Sequence, residues 1–256
     1  FRRAFAAETV HDFFNLMLVM VALPIELMTG VFEKTATALS GAISNVGGAE
    51  YHSPVKAAVK AGAKPIESLL ESFGLEGVAL AIVLVVVALA LIVICLIQIT
   101  RNMKSLISGP LERALNRVLG RSGMLGILIG IFMTIAVQSS SITTSLLVPM
   151  CAAGVLTLRN AFPIMLGANI GTTVTALLAS LATDNETGLT IALVHTLFNV
   201  GGVMIIYPIP FLRRIPLRLA RILAVRAQRN MFWVVGYVVG VFILLPLCGY
   251  LVFGAL

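Results

Sequence analysis

The stretch Gln138-Ser139-Ser140-Ser141 decides which fold this 256-residue sequence predicts, because it places four polar side chains inside an apolar run. The run extends from Gly123 to Gly154, and Thr143 follows the serines within it. Polar groups inside a long apolar segment are costly unless they are paired or bind something. We therefore expect this stretch to bind a polar ligand.

The composition of the chain is that of an integral membrane protein. Hydrophobic residues make up 59% of the sequence and charged residues only 11%, and the mean hydropathy is +1.04. Val78 to Ile97 is apolar throughout and, as a helix, is long enough to cross a hydrocarbon core of about 30 Å. In a membrane protein, Lys and Arg mark cytoplasmic loops. We therefore assign the net charge of +7 to contacts with the lipid bilayer and expect no nucleic acid partner.

Apolar stretches and charges divide the chain into five parts. These are a spanning helix in residues 1–29, an external loop of mixed charge in residues 30–77, a spanning helix followed by a cytoplasmic amphipathic helix in residues 78–121, a central unit in residues 122–209, and a basic cytoplasmic loop with a last spanning helix in residues 210–256. The predicted spanning segments are 10–29, 78–99, 161–182, 189–209 and 231–253. The fold class is therefore all-α.

The run from Gly123 to Gly154 is either one full crossing or a hairpin that returns to the same side. Its first arm, Gly123 to Val137, is about 22 Å long as a helix, which is too short to span. A hairpin also places all six arginines between Arg213 and Arg229 on the cytoplasmic side, whereas a single crossing places them outside. We therefore predict a re-entrant hairpin at 123–154 with Gln138–Ser141 at its tip, and a basic loop that anchors to the inner leaflet.

An internal repeat links two of the predicted spanning helices. Val10-His-Asp-Phe-Phe-Asn15 matches Val194-His-Thr-Leu-Phe-Asn199, and eight of the sixteen positions from Val10 to Ile25 are identical at this offset. The charge pattern makes the two copies antiparallel, which is the inverted repeat of secondary transporters. The same offset places the counterpart of Gln138 before Phe1. We therefore expect the chain to begin inside the first repeat.

The predicted crossing at 161–182 contains Gly167-Ala-Asn-Ile-Gly-Thr-Thr-Val-Thr175. Two glycines and Asn169 predict a break near the middle of this helix. Freed carbonyls, together with Asn169, Thr172 and Thr175, are the hard oxygen ligands that sodium prefers. The alternative is a close helix contact mediated by the glycines. A P-loop is not predicted, because the segment has no Lys and its glycine spacing differs.

The three cysteines, Cys95, Cys151 and Cys248, occur at no metal-ligand spacing. We therefore expect neither a disulfide framework nor a transition metal. Sodium, which suits the oxygen ligands described above, is the only metal ion that we expect.

Several motifs together resemble the type II sodium-coupled phosphate cotransporter family. They are Gln138-Ser-Ser-Ser, Leu166-Gly-Ala-Asn-Ile-Gly-Thr-Thr-Val-Thr175, Phe1-Arg-Arg-Ala-Phe-Ala and Thr9-Val-His-Asp-Phe-Phe-Asn15. Members have two inverted repeats, each with such a hairpin, and continue beyond the position of Leu256. The resemblance therefore implies truncation at the N-terminal side and at the C-terminal side. The short external loop without cysteine favours a bacterial member in the inner membrane.

The resemblance implies sodium-coupled symport of inorganic phosphate across the plasma membrane by alternating access, with no enzymatic activity. It implies that Ser139, Ser140 and Ser141 bind phosphate, and that Gln138 and Ser139 complete the sodium site. Hydroxyls and the N–H groups of a helix start are neutral donors suited to an anion inside a membrane. The alternative for the serines is that small side chains allow close helix packing.

Asp12 is the one carboxylate well inside a predicted spanning segment, where an ionised group is costly and therefore functional by default. In the family, an Asp at this position accompanies an extra sodium site and electrogenic transport. The resemblance therefore implies that Asp12 binds sodium. The alternative is an ion pair with Arg2 or Arg3. Asn15 and its repeat counterpart Asn199 are candidates for sodium binding or for bracing the hairpin, and Thr143 is a further candidate.

Two other functions stay open at this point, and the sequence does not indicate an oligomeric state. A transporter of another oxyanion or of a dicarboxylate would use a similar hairpin. An intramembrane hydrolase built on Ser139 and His195 is less well supported, because no Gly-x-Ser-x-Gly elbow surrounds the serines.

Overall fold

The computed structural model shows an all-α chain. It describes residues 1–43, 54–72, 74, 77–106, 116–117, 119–120, 122–181 and 186–253. Within these residues the helices are α1 (Arg2–Thr29), α2 (Val31–Ile43), α3 (Pro54–Ser72), α4 (Gly77–Leu106), α5 (Gly123–Val137), α6 (Ser140–Ala153), α7 (Leu158–Leu181), α8 (Glu186–Ile206), α9 (Pro210–Arg229), α10 (Phe232–Val239), a π-helical segment (Gly240–Leu244) and α11 (Leu245–Phe253).

Five helical stretches in the described residues are long and apolar enough to cross a membrane. They are α1, Gly77–Cys95 of α4, α7, Thr187–Ile206 of α8, and Phe232–Leu251 of the continuous α10–α11 rod. They coincide with the five predicted segments, so the prediction of an all-α integral membrane protein is confirmed. α1 begins at Arg2 rather than at Val10, because Arg, Ala and Glu before Val10 are good helix formers.

Two helices occupy much of the segment predicted as an external loop. Gly30 ends α1 in the left-handed conformation, with φ of 61°, and its N–H donates to the Glu26 carbonyl at 2.7 Å. The Glu26 carboxylate then accepts from the N–H groups of Phe32 at 2.7 Å and Glu33 at 2.9 Å. Glu26 therefore caps α2, which packs against α8.

The predicted hairpin is present as α5 and α6. α5 ends at Val137, as predicted from its length, and both arms are too short to span on their own. The turn consists of Gln138, with φ of 54°, and Ser139, which is extended. Gln138 is the only non-glycine residue with positive φ in the described part of the chain.

The closest helix contact joins α5 to α7. A Cβ atom at Gly167 would overlap the carbonyl oxygen of Ile127, and one at Gly130 would overlap the carbonyl oxygen of Ile164. A Cβ at Gly171 would lie 2.7 Å from the Cβ of Thr134. From Gly126 beside Pro163 to Thr134 beside Gly171 the contact advances in the same direction along both helices, so α5 and α7 run parallel with their backbones touching.

The prediction of a broken helix at 161–182 is wrong. α7 is continuous from Leu158 to Leu181, and its glycines mediate the contact with α5, which was the alternative. The hydroxyls of Thr172, Thr173 and Thr175 donate to carbonyls of this same helix. Packing against α5 outweighs the low helix propensity of glycine.

α1 packs against α6, α7 and α9 and forms much of the core. Phe14 is completely buried and meets Phe162 edge to face, with ring centroids 6.0 Å apart. Leu18 lies against Gly202, where a Cβ would overlap the leucine side chain. These contacts fix α1 against α7 and α8.

The predicted cytoplasmic amphipathic helix, residues 106–119, falls almost entirely outside the described residues. Asn116 is described, and its Oδ1 accepts from Thr157 N at 3.0 Å while its Nδ2 donates to the Val155 carbonyl at 2.6 Å. Asn160 Nδ2 donates to Asn116 Oδ1 at 3.0 Å. Asn116 is therefore bonded to the link between α6 and α7 and to the first turn of α7.

Candidate functional site

The hairpin tip is built by a serine cap. Ser139 Oγ accepts from the N–H of Ile142 at 3.4 Å, and the Ser139 carbonyl accepts from the N–H of Thr143 at 3.4 Å. α6 therefore begins at Ser140, directly at the turn. The N–H groups in the first turn of a helix have no intrahelical acceptor. The tip thus presents the positive end of the α6 dipole.

Ser140 and Ser141 carry the donors available at the tip. Ser140 is half-buried and Ser141 is exposed, and their hydroxyls form no hydrogen bond within the described residues. Their carbonyls accept from Thr144 Oγ1 at 3.1 Å, which strengthens the first turn. Two hydroxyls on a fixed helix start can therefore donate to a ligand.

A buried hydroxyl pair braces the hairpin below its tip. Thr134 of α5 and Thr143 of α6 are completely buried, and their Oγ1 atoms are 3.0 Å apart. Thr134 also contacts Gly171 of α7. Thr143, a candidate ligand by sequence, is thus placed inside the hairpin, where it ties the arms together.

An amide pair joins α1 to the middle of α7. Asn169 Nδ2 donates to Asn15 Oδ1 at 3.0 Å. This bond orients the Asn169 amide and leaves its Oδ1 as an acceptor. Asn15 and Asn169, which the sequence proposed separately as sodium ligands, therefore lie in direct contact.

Thr172 and Thr175 extend the row of oxygens along α7. Thr172 Oγ1 donates to the Ala168 carbonyl at 3.0 Å, and Thr175 Oγ1 donates to the Thr172 carbonyl at 2.8 Å. Each hydroxyl oxygen keeps lone pairs after donating its hydrogen. Both side chains are half-buried, so their oxygens are accessible to a cation.

The predicted sodium residues are distributed over neighbouring helices that contact one another: α1, α6 and α7. Gln138 and Ser139 are half-buried at the turn. In the described residues, the hydrogen bonds of Ser139 stay within the first turn of α6. The structure thus pairs Asn15 with Asn169 but records no bond from Ser139 to that pair.

Asp12 is held by a residue that sequence reasoning missed. Its Oδ2 accepts from the hydroxyl of Tyr237, and its Oδ1 lies 3.1 Å from His11 Nε2. His11–Asp12 is the only ion pair in the described part of the chain, so the alternative pairing with Arg2 or Arg3 is wrong there. Tyr237 is far away in sequence, and its single hydroxyl in an apolar helix gave no sign of this partner.

Asn199 and His195 lie apart from the hairpin tip. Asn199 is buried, and its Nδ2 donates to the His195 carbonyl at 3.2 Å within α8. α8 packs mainly against α2 and α7, and the His195 side chain is exposed. The structure records no contact of His195 with Ser139 that a nucleophile and its base would need.

The donor set at the site fits an alkali cation. No group of three or more His, Cys, Asp or Glu side chains that could hold a metal ion occurs in the described ranges. Amide and hydroxyl oxygens from α1 and α7 are instead the groups present. These hard, mostly neutral ligands match a monovalent cation of low charge density.

Comparisons with known proteins agree with this chemistry. Residues 91–208 match the family model described as Na+/Pi-cotransporter. The chain is 30% identical to the sodium-dependent phosphate transport protein 2B of Rattus norvegicus, over 96% of the chain and 48% of that protein. It is 29% identical to protein 2A of the same species, over 96% and 49%, and 28% identical to protein 2B of Homo sapiens, over 96% and 48%.

The chain spans about half the length of the curated relatives it matches. No solved structure matches it.

Proposed function

We propose that this chain carries sodium-coupled symport of inorganic phosphate, because residues 91–208 match the family model described as Na+/Pi-cotransporter. The single observation that carries the proposal is the hairpin tip. Its serine cap starts α6 in the turn, so that the hydroxyls of Ser140 and Ser141 lie at a helix start. The proposal also draws on the sodium-dependent phosphate transport proteins that align with 96% of the chain.

Phosphate is the ligand of the tip in this proposal. Ser140 and Ser141 donate from their hydroxyls, and the N–H groups of the first turn of α6 donate from the backbone. Hydrogen bonds to a charged group contribute about 1.5–3 kcal/mol each, so a few of them offset much of the cost of removing water from the anion. Ser139 has a double role in this proposal. Its Oγ accepts the capping bond from Ile142, and the same hydroxyl oxygen is assigned to the sodium site.

Sodium binds to the oxygens of α7 and α1 beside the tip. We assign as its ligands Asn169 Oδ1, Asn15 Oδ1, Thr172 Oγ1 and Thr175 Oγ1, whose side chains are held by hydrogen bonds, together with Gln138 from the turn. Because α7 is continuous, the carbonyls expected from a break are engaged in the helix. Side chains therefore supply most of the coordination.

The order of binding follows from charge. The tip offers phosphate only neutral donors and a helix dipole, so bringing the anion to membrane depth without a cation is costly. A sodium ion bound first neutralises part of that charge. Alternating access then moves the loaded site from one side of the membrane to the other.

Asp12 supplies an additional charge to the cycle. Its carboxylate lies within α1, three residues before Asn15, and Tyr237 fixes one of its oxygens. We assign to it an extra sodium ion, so that each cycle moves net charge. Asn199 and Thr143 act as structural supports rather than as ligands, because each is buried and hydrogen-bonded, Asn199 within α8 and Thr143 to Thr134 of the other hairpin arm.

We place the transporter in the plasma membrane, with the feet of the hairpin on the cytoplasmic side as the arginines indicate. The cysteine-free segment of residues 30–77 favours a bacterial inner membrane.

Uptake into proteoliposomes tests the proposed function. Labelled phosphate should accumulate under an inward sodium gradient and not when choline replaces sodium. Arsenate, which has the shape and charge of phosphate, should compete, whereas sulfate and succinate should not. Competition by sulfate or succinate would instead assign the hairpin to another oxyanion or to a dicarboxylate.

A further inference from the structure

A second anion-binding feature lies at the other end of the hairpin. A cavity of about 460 Å³ opens between the start of α5, the start of α7 and the first half of α9. Its volume falls within the range of roughly 300–1,000 Å³ that is typical of small-molecule sites. It is separated from the serine tip by the whole of α5, about 22 Å at 1.5 Å per residue. It is therefore a site of its own.

Five guanidinium groups line this cavity, which we call the arginine cavity. They belong to Arg159 of α7 and to Arg213, Arg214, Arg218 and Arg221 of α9. Among the described residues, no acidic side chain lines the cavity and none of these arginines forms an ion pair. A cleft lined by charges of one sign concentrates the electrostatic potential and attracts counter-ions.

The cavity also has groups that position a ligand. The Tyr207 hydroxyl lies against Gly123 at the start of α5, where a Cβ atom would overlap it. The guanidinium of Arg213 lies over the Tyr207 ring, 5.6 Å from its centroid. Tyr207 and Arg213 therefore lie together in the wall of the cavity.

The chemistry of the lining selects phosphate esters. Arginine binds phosphate oxygens with two parallel N–H donors, and several arginines around one space suit a group with three free oxygens. Phe162, Pro163 and Leu217 add an apolar wall beside the charges. A phosphate with an organic part attached therefore fits the cavity better than a bare ion does.

We propose that the arginine cavity binds a phosphomonoester, presented either as a lipid headgroup or as a soluble phosphorylated molecule. The proposal does not depend on transport, because none of the residues assigned to phosphate or sodium at the tip lines the cavity. Binding there would link the feet of α5 and α7 to α9 through one ligand.

Two probes test the proposal on the full chain and distinguish the sources. The first is phosphatidic acid in phosphatidylcholine nanodiscs, measured by native mass spectrometry against phosphatidylglycerol, an anionic phosphodiester. The second is glycerol 3-phosphate, measured by calorimetry on protein in detergent. Phosphatidic acid alone identifies a lipid ligand, glycerol 3-phosphate alone identifies a soluble one, and binding of both shows that the phosphomonoester itself is recognised.

Matched variants make the test specific to the cavity. Arg214→Gln with Arg218→Gln removes two exposed lining arginines and should weaken binding roughly tenfold or more, whereas the Lys pair should recover part of it. Arg226→Gln with Arg229→Gln removes the same charge from the same helix outside the cavity and should change affinity less than about threefold. Equal losses in the two Gln pairs, lipid binding without preference for phosphatidic acid over phosphatidylglycerol, or no binding of either probe would overturn the proposal.

Discussion

The hairpin tip and the arginine cavity lie at opposite ends of α5 and offer an anion different chemistry. The tip has the hydroxyls of Ser140 and Ser141 and a helix start, all of them neutral. The cavity has five guanidinium groups, four of them on the exposed side chains of Arg159, Arg214, Arg218 and Arg221. One helix thus connects a site without formal charge to a site of high positive charge.

The difference follows from depth in the membrane. An arginine at the centre of a bilayer costs about 2.5–3.5 kcal/mol even on the most lenient scale, whereas a cytoplasmic arginine is solvated. Burying a hydroxyl at the centre of the bilayer costs less free energy than burying an arginine, but a hydroxyl does not neutralise the charge of an anion. In the proposed function the tip therefore needs sodium as a partner, whereas the proposed ligand of the cavity does not. Phosphate binding at the tip should depend on sodium itself, whereas binding in the cavity should depend only on ionic strength.

The largest expected effect comes from separating α5 from α7, because the contact between these helices holds both the hairpin tip and the arginine cavity in place. Gly167→Ala forces a Cβ into the carbonyl oxygen of Ile127, which is backbone and cannot move aside. We expect a loss of about 3 kcal/mol or more, measured as a lower unfolding temperature in detergent. Gly201→Ala is the control, since a Cβ there meets nothing within 4 Å and should change stability by less than about 1 kcal/mol. Equal unfolding temperatures of the two variants would contradict a close backbone contact between α5 and α7.

The next effect tests the tip alone. Ser140→Ala with Ser141→Ala removes the two hydroxyl donors and should weaken phosphate binding about 100-fold, because each bond to the anion contributes at least about 1.5 kcal/mol. Ser145→Ala, on the exposed part of the same helix, should leave affinity within about twofold. The measurement is equilibrium binding of labelled phosphate in sodium. A similar loss in Ser145→Ala would show that the tip serines have no special role.

Two adjacent threonines of α7 test whether sodium binds at the proposed site. Thr172→Val removes a half-buried oxygen beside Asn169 and should lower the sodium affinity of transport about tenfold. Thr173→Val removes a hydroxyl of the same type that is completely buried and bonded to the Ile170 carbonyl. It should lower stability and leave the sodium dependence unchanged. An unchanged sodium dependence in both would move the cation away from this side of α7.

The smallest effect on rate concerns Asp12. Asp12→Asn removes one charge from α1 and should abolish the transport current while phosphate uptake falls only severalfold, about fivefold at most. Glu8→Gln removes an exposed carboxylate one turn earlier and should keep the current. The measurement is the sodium-dependent and phosphate-dependent current of each variant in proteoliposomes on a conducting support. A persistent current in Asp12→Asn would exclude this residue as the source of the extra charge.

Length and charge were sufficient to predict the helices but not their contacts. The fifteen-residue arm from Gly123 to Val137 was too short to span, and the arginines after Ile209 required a hairpin, so α5 and its end were predicted. The break in α7 was predicted from Gly167, Gly171 and Asn169. It is absent because α5 supplies a backbone surface that only glycine can approach, and no local pattern in residues 161–182 shows that surface.

The sequence predicted which residue types form the candidate site. It did not predict the contacts between residues that are distant in the sequence. Asn15 and Asn169 were proposed individually, and their contact emerges only when α1 packs on α7. Tyr237 lies 225 residues from Asp12, and nothing in the composition of its helix indicates the pairing. The arginines of α9 were expected to anchor to lipid, but the arginine cavity also needs Arg159, which the link after the hairpin brings to them.

The sodium dependence of phosphate binding tests the difference between the two ends most directly. Labelled phosphate is titrated at equal ionic strength in sodium chloride and in choline chloride, using the wild-type chain, the Ser140→Ala, Ser141→Ala variant and the Arg214→Gln, Arg218→Gln variant. We predict tight binding only in sodium, lost in the serine variant and kept in the arginine variant. Equal binding in choline, or a loss confined to the arginine variant, would contradict a neutral, sodium-dependent phosphate site at the hairpin tip.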